Sequence, residues 1–268
     1  MRTTIKTDGG TLQVDDSGVR GSDVALLFLH YWGGSSLTWR KVIALLDDKV
    51  RCIAVNQRGW GGSVATDSRY DLVAMADDTL SIVEQLGLKR VILVGHSMGG
   101  KVAQIFAARR PSQLVGMVLV APSPPTPMPV PADVRQQMLQ SYQSAAGVEQ
   151  QALEMLAGPL LPLEDRTGVV SDTLAGMPEA KREWTEHGMV ADLGITAGDI
   201  AVPTVMLVGS LDRVEAPERL RKIFGEVVPQ ARFNELAGVG HLAPLEAPEQ
   251  IADACRELLI TVTNGARC

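Results

Sequence analysis

The sequence predicts an α/β protein: a mostly parallel β-sheet flanked by helices, with a helical lid inserted after the sixth strand. Three observations predict it. Short apolar runs alternate with helical patterns along the first 120 residues, six prolines between 122 and 131 break that alternation, and it resumes at Val202. Strand and helix in alternation imply right-handed crossovers and a sheet covered on both faces. A hydrophobic fraction of 46% in 268 residues is enough for one sizeable core. The expected organisation is a core built from residues 1–121 and 199–268, with residues 122–198 as the lid.

The elements follow in chain order. Asp8-Gly9-Gly10 between two β-rich runs reads as the turn of an N-terminal antiparallel hairpin at the edge of the sheet. Val24 to Leu29 is a strand, Ser36 to Leu46 a helix, Arg51 to Val55 a strand and Tyr70 to Leu86 a helix. Val91-Ile92-Leu93-Val94 is a strand apolar on both faces, and Val102 to Arg110 a helix that ends in positive charge before Pro111. Leu114 to Val120 is the next strand. Pro122, Pro124, Pro125, Pro127, Pro129 and Pro131 then exclude both strand and helix, because each fixes φ and removes a donor. Beyond them Val134, Met138, Leu139 and Tyr142 share one helical face, and similar segments begin at Val148 and Glu179. Val202 to Gly209 restores the sheet. A helix from Ala216 to Phe224, a strand from Ala231 to Leu236 and a helix begun at Pro248 complete it, the last with a stripe of Ile251, Cys255, Leu258 and Leu259.

Charge and composition remove several classes of function. A net charge of −6 provides no basic footprint for nucleic acid. No stretch of about 18 apolar residues and no basic-then-apolar leader pattern supports membrane spanning or secretion. Three cysteines, Cys52, Cys255 and Cys268, are an odd number without close spacing, which fits a reducing cytoplasm better than a disulfide framework or a zinc site. Cys52 and Cys255 read as core fillers.

The chemistry centres on Gly95-His96-Ser97-Met98-Gly99-Gly100, where a buried strand enters a helix through G-x-S-x-G. In a nucleophile elbow the serine takes a strained backbone conformation that lifts its hydroxyl out of the sheet, and small neighbours make room for it. The same stretch nearly fits a phosphate loop, since Gly95, Gly100 and Lys101 match G-x-x-x-x-G-K. Val102 stands where that loop needs a hydroxyl, and Ser97 where a dinucleotide fingerprint needs glycine. A serine nucleophile needs a base, and the base needs a carboxylate. Of four histidines, His30 ends a strand, His96 precedes the serine and His187 falls in the lid. His241 follows the last strand in a glycine-rich loop, where α/β sites assemble, and is the candidate base. Asp212, just past the strand ending at Gly209, is the candidate acid, with Glu215 as its nearest substitute. A loop Asp is also an ordinary turn former or cap. The order Ser97, Asp212, His241 matches one hydrolase architecture and neither of the two protease orders. The amides of Met98 and Trp32 are the expected oxyanion donors.

Together with the loop His30 to Ser35, the run Gln57-Arg58-Gly59-Trp60-Gly61-Gly62-Ser63, and Pro244 and Glu246 behind His241, these residues resemble the α/β-hydrolase fold superfamily over nearly the whole chain. The capped bacterial esterase and cofactor-free haloperoxidase, or perhydrolase, branch looks most similar. Two positions depart from that pattern: Tyr31 replaces the glycine that usually follows the oxyanion-loop histidine, and Asn56 replaces an aspartate. The resemblance implies a cytoplasmic serine hydrolase of a small to medium apolar ester or lactone, with no organic cofactor and no metal. Perhydrolysis or carbon–carbon bond hydrolysis with the same triad, and a non-enzymatic small-molecule receptor, stand as alternatives. Tyr31, Trp60, Trp184 and Met138 are the candidate pocket walls. The five lid methionines, Met128, Met138, Met155, Met177 and Met189, read first as lid packing and second as an adaptable substrate surface.

Overall fold

A computed structural model describes residues 1–19, 23–46 and 50–265. Cys268 lies outside the described residues. Among those residues nine strands form one sheet. β1 (Arg2–Thr7) and β2 (Gly10–Asp16) make the N-terminal hairpin, with Thr7 opposite Gly10 across the Asp8-Gly9 turn. β3 (Ala25–Leu29), β4 (Arg51–Val55), the two-residue β5 (Val64–Ala65), β6 (Val91–His96), β7 (Leu114–Val120), β8 (Thr204–Gly209) and β9 (Arg232–Leu236) follow. The spatial order is β1-β2-β4-β3-β6-β7-β8-β9, antiparallel through β2–β4 and parallel from β4 onward. β5 pairs with β2 at the edge. Because of it, the strand that precedes the insertion is seventh in chain order and not sixth.

The central strands read as continuous apolar runs because both faces are covered. Leu27 and Leu29 of β3 and Val91 and Leu93 of β6 join one core, while Leu26 and Phe28 with Ile92 and Val94 join the other. Helices cover both faces: α1 (Arg40–Leu45), entered through a 3₁₀ turn at Ser36–Trp39, α2 (Leu72–Gln85) and α3 (Met98–Ala108). Asp71 caps α2 by accepting from the Ala74 amide at 2.9 Å, which starts that helix two residues later than its apolar pattern suggests.

After β7, Ala121 at φ 41° turns the chain out of the sheet. No strand then intervenes before β8 among the described residues. The insertion holds α4 (Ala132–Ser141), α5 (Ala145–Gly147), α6 (Leu153–Leu156), α7 (Leu163–Ala175) and α8 (Pro178–Glu183), with π turns at Val148–Ala152 and Trp184–Gly188. α9 (Pro217–Val227), the short α10 (Ala243–Glu246) and α11 (Pro248–Gly265) complete the chain. On α11 the buried stripe is Ile251, Cys255, Leu258 and Val262; Leu259, placed in that stripe by sequence, is only half-buried. No helix among the described residues is long and apolar enough to cross a membrane.

Candidate active site

Ser97 occupies the single residue between β6 and α3, at φ 51° and ψ −113°. That backbone region disfavours any side chain, and the packing of the turn enforces it. A Cβ on Gly95 would lie 2.6 Å from the Gly99 carbonyl oxygen, one on Gly100 2.7 Å from Pro122 Cβ, and one on Gly99 would strike the Leu29 carbonyl. The helix therefore starts hard against the end of β3 and against the chain just past β7. Lys101, the residue that suggested a phosphate loop, turns away from the serine. It is fully buried and donates to the Ala191 carbonyl at 2.7 Å, at the far root of the insertion.

Asp212 and His241 come together from the ends of β8 and β9. His241 Nδ1 donates to Asp212 Oδ2 at 2.8 Å, which leaves Nε2 as the basic nitrogen. Asp212 Oδ1 meanwhile accepts from the Val214 and Glu215 amides at 2.8 and 2.9 Å. Turn former and histidine partner are thus one residue. Burial works to lower the His241 pKa, but the Asp212 carboxylate, with Glu215 and Glu246 beyond it, outweighs burial and raises it above 6.5. Glu215, the substitute acid, faces elsewhere: its Oε2 accepts from Arg219 at 3.1 Å, and burial pushes its pKa up to about 8.

Two of the other histidines serve the backbone. His96 Nε2 donates to the His241 carbonyl at 2.8 Å, its ring 5.2 Å from the His241 ring, and burial holds its pKa well below 6.5. His30 Nε2 accepts from the Gln57 amide at 3.0 Å, so Nδ1 carries the proton and donates to the Tyr31 carbonyl at 2.8 Å. Burial lowers the His30 pKa to about 4, which keeps it neutral in that role. His187 is exposed on the insertion and pairs with Glu183 at 3.0 Å.

Ser97 and His241 line one cavity of about 340 Å³, together with Tyr31 and Trp32 at its base. The amides of Trp32 and Met98 have no acceptor among the described residues, and Met98 N–H is the first of α3. The insertion supplies the roof. Met128, Met138, Met155, Met189 and Trp184 line it, so four of the five methionines first read as packing face the cavity. Met177 does not; its sulfur accepts from the Tyr70 hydroxyl. Trp60, expected in the wall, does not line the cavity either. Its indole is pinned under Gly176, where any Cβ would overlap the ring, and stands edge-on to His30. Sequence reasoning missed Ser123, Gln137, Ser141, Gln151 and Arg213, polar side chains that also line the cavity. Arg213 adjoins Asp212 in sequence, and Gln137 adjoins the apolar face of α4; those adjacencies were the available signals. Among the described residues no three His, Cys, Asp or Glu side chains converge as metal ligands would.

Comparison with known proteins agrees with this architecture. A bifunctional esterase/perhydrolase of Acinetobacter calcoaceticus is 27% identical, over 91% of this chain and 94% of that protein. A 2-hydroxy-6-oxononadienedioate/2-hydroxy-6-oxononatrienedioate hydrolase of Paraburkholderia phymatum is 29% identical, over 91% of this chain and 90% of its own. The solved structure of an esterase from Exiguobacterium antarcticum superimposes with a TM-score of 0.85 at 22% identity, covering 97% of this chain and 99% of that one. The model of the alpha/beta hydrolase family matches residues 26–254. The chain belongs to the alpha/beta hydrolase family, and an esterase/perhydrolase is among its relatives within that family.

Proposed function

We propose that the protein is a serine hydrolase that cleaves a small to medium apolar carboxylic ester or lactone through an acyl-enzyme. The observation that carries this reading is the 2.8 Å bond from His241 to Asp212 beside a cavity that Ser97 also lines. His241 Nε2 takes the Ser97 proton as Oγ bonds to the substrate carbonyl carbon. The charge that develops on the carbonyl oxygen faces the Met98 and Trp32 amides. Collapse breaks the bond to the alkoxy oxygen, which leaves with the proton from His241. Water then repeats the sequence on the acyl-enzyme, releasing the acid and restoring Ser97.

The cavity supports the substrate class. A volume of about 340 Å³ is at the small end of the range for ligand sites, and apolar side chains, methionine and aromatic ones among them, make up most of its walls. In this reading the insertion acts as the lid that excludes water and chooses the substrate. The free thiols of Cys52 and Cys255 favour a cytoplasmic setting.

A second reading differs only in the acceptor. The relative named an esterase/perhydrolase motivates it: hydrogen peroxide in place of water would convert the acyl-enzyme to a peracid with the same residues.

A fluorophosphonate probe tests the common step. It is expected to label the folded protein at Ser97 and to leave Ser97→Ala unlabelled. Absence of labelling on folded wild type would overturn the hydrolase reading and favour a receptor.

A further inference from the structure

The Trp32 amide lies in a loop whose own chemistry gives it little rigidity. Gly33 and Gly34 follow it, and adjacent glycines leave a backbone with the least intrinsic restraint. Whatever aims the Trp32 N–H must come from partners. On the core side the Tyr31 carbonyl accepts from His30 Nδ1 at 2.8 Å and from the Gly34 amide at 3.0 Å. That carbonyl and the Trp32 N–H belong to one planar trans peptide and point in opposite directions, so these two bonds set the near end.

The far end is held by the insertion. Thr173 Oγ1 on α7 donates to the Gly33 carbonyl at 3.1 Å, and the Tyr142 hydroxyl, just past α4, donates to the Trp32 carbonyl at 3.4 Å. The Tyr142 ring stacks on the Trp32 indole with centroids 3.6 Å apart and planes 16° from parallel. Ser35 Oγ donates to Asp172 Oδ2 at 2.5 Å. Gly33 sits at φ 96°, and a Cβ there would come 2.8 Å from Tyr142 Cε1 and 2.9 Å from Thr173 Oγ1. Lys181, on α8, ties this side together by donating to the Tyr142 carbonyl at 3.0 Å. A threonine inside a helix ordinarily turns its hydroxyl back on its own helix. Thr173 is wholly buried and sends its hydroxyl across to the loop.

We propose that the insertion frames the oxyanion hole: Thr173, Tyr142 and Asp172 are positioning residues that hold loop 31–35 so that the Trp32 amide meets the developing negative charge. This rests on the serine hydrolase reading for its chemical consequence and on the contacts alone for its structural one. The insertion is then part of the catalytic frame as well as a cover. Loosening its grip on the loop lowers the rate without changing how the cavity binds ester.

Thr173→Val, which removes the hydroxyl at nearly constant shape, and Thr173→Ser, which restores it, make the test. The readouts are steady-state hydrolysis of 4-nitrophenyl acetate and hydrogen exchange of the peptide spanning the loop. Thr173→Val is expected to lose about tenfold in kcat, with KM within about twofold of wild type. Exchange across the loop speeds up in that variant, and Thr173→Ser returns both readouts to wild type. Asp172→Ala moves both in the same direction as Thr173→Val and serves if Thr173→Val does not fold. Wild-type exchange in folded Thr173→Val overturns the proposal, as does faster exchange with unchanged kcat. If hydrolysis is absent, or survives Ser97→Ala, the hydrolase reading fails instead, and exchange alone then decides whether the insertion holds the loop.

Discussion

Asp212 uses its two carboxylate oxygens for different tasks: one closes a turn with the Val214 and Glu215 amides, and the other fixes the His241 ring. Asp212→Asn keeps the turn and removes the charge. For a neutral imidazole acting as base, rate rises with pH through its pKa. Wild-type kcat/KM is therefore expected to have its ascending limb above pH 6.5, because Asp212, with Glu215 and Glu246 beyond it, outweighs burial at His241. In Asp212→Asn burial is left in control, so the limb moves downward while kcat falls by about 10⁴ through loss of the reactive tautomer. A limb that does not move would show that Asp212 does not set the charge of His241. This pairing was legible in the sequence, since chain order and strand-end position single out both residues. Trp60 was misread because a large apolar side chain looks alike in a cavity wall and in a core. The roles of His30 and His96 were hidden because they depend on which backbone carbonyl lies within reach.

The loop that carries His241 is clamped by elements far apart in sequence. Glu246 on α10 accepts from the Gly158 amide at 3.0 Å with one oxygen and from the Gly240 amide at 2.9 Å with the other. Leu156 accepts from the His241 amide at 2.9 Å. A carboxylate satisfied by two backbone donors tolerates no donor in its place. Glu246→Gln turns an N–H₂ group toward one of those amides and is expected to cost about 1–3 kcal/mol in a denaturant titration. A loss smaller than about 0.5 kcal/mol would mean the two amides find other acceptors. Elements of this kind marked the boundary of sequence reading. The strands and long helices of the core declared themselves through periods of two and 3.6 residues. β5 and α10 are too short to carry a period. In the insertion, the helical face bearing Val134, Met138, Leu139 and Tyr142 was recognisable as apolar, but such a face suits a core or a cavity, and here Val134, Met138 and Tyr142 line the cavity while Leu139 does not.

At the scale of the molecule, two apolar cores on opposite faces of the sheet position the strand ends, and the insertion closes over them. Parallel topology was foreseeable because continuous apolar strands require cover on both sides. The hand-off between core and insertion was not, since it runs through single hydrogen bonds such as Lys101 to Ala191 and Thr173 to Gly33 that leave no pattern in the chain. Ser97 is where the whole fold bears a local burden. Holding a side chain at φ 51° and ψ −113° costs on the order of 1–3 kcal/mol, which the surrounding packing must offset. Glycine alone is free of that strain. Ser97→Gly is therefore expected to melt above wild type, while Ser97→Ala, which the proposed mechanism makes equally inactive and which still bears a Cβ, gains no such backbone relief. Melting curves that leave Ser97→Gly no higher than Ser97→Ala would show the turn to be relaxed. Otherwise stability and reactivity compete at this residue, and the protein that could do no chemistry would be the sturdier one.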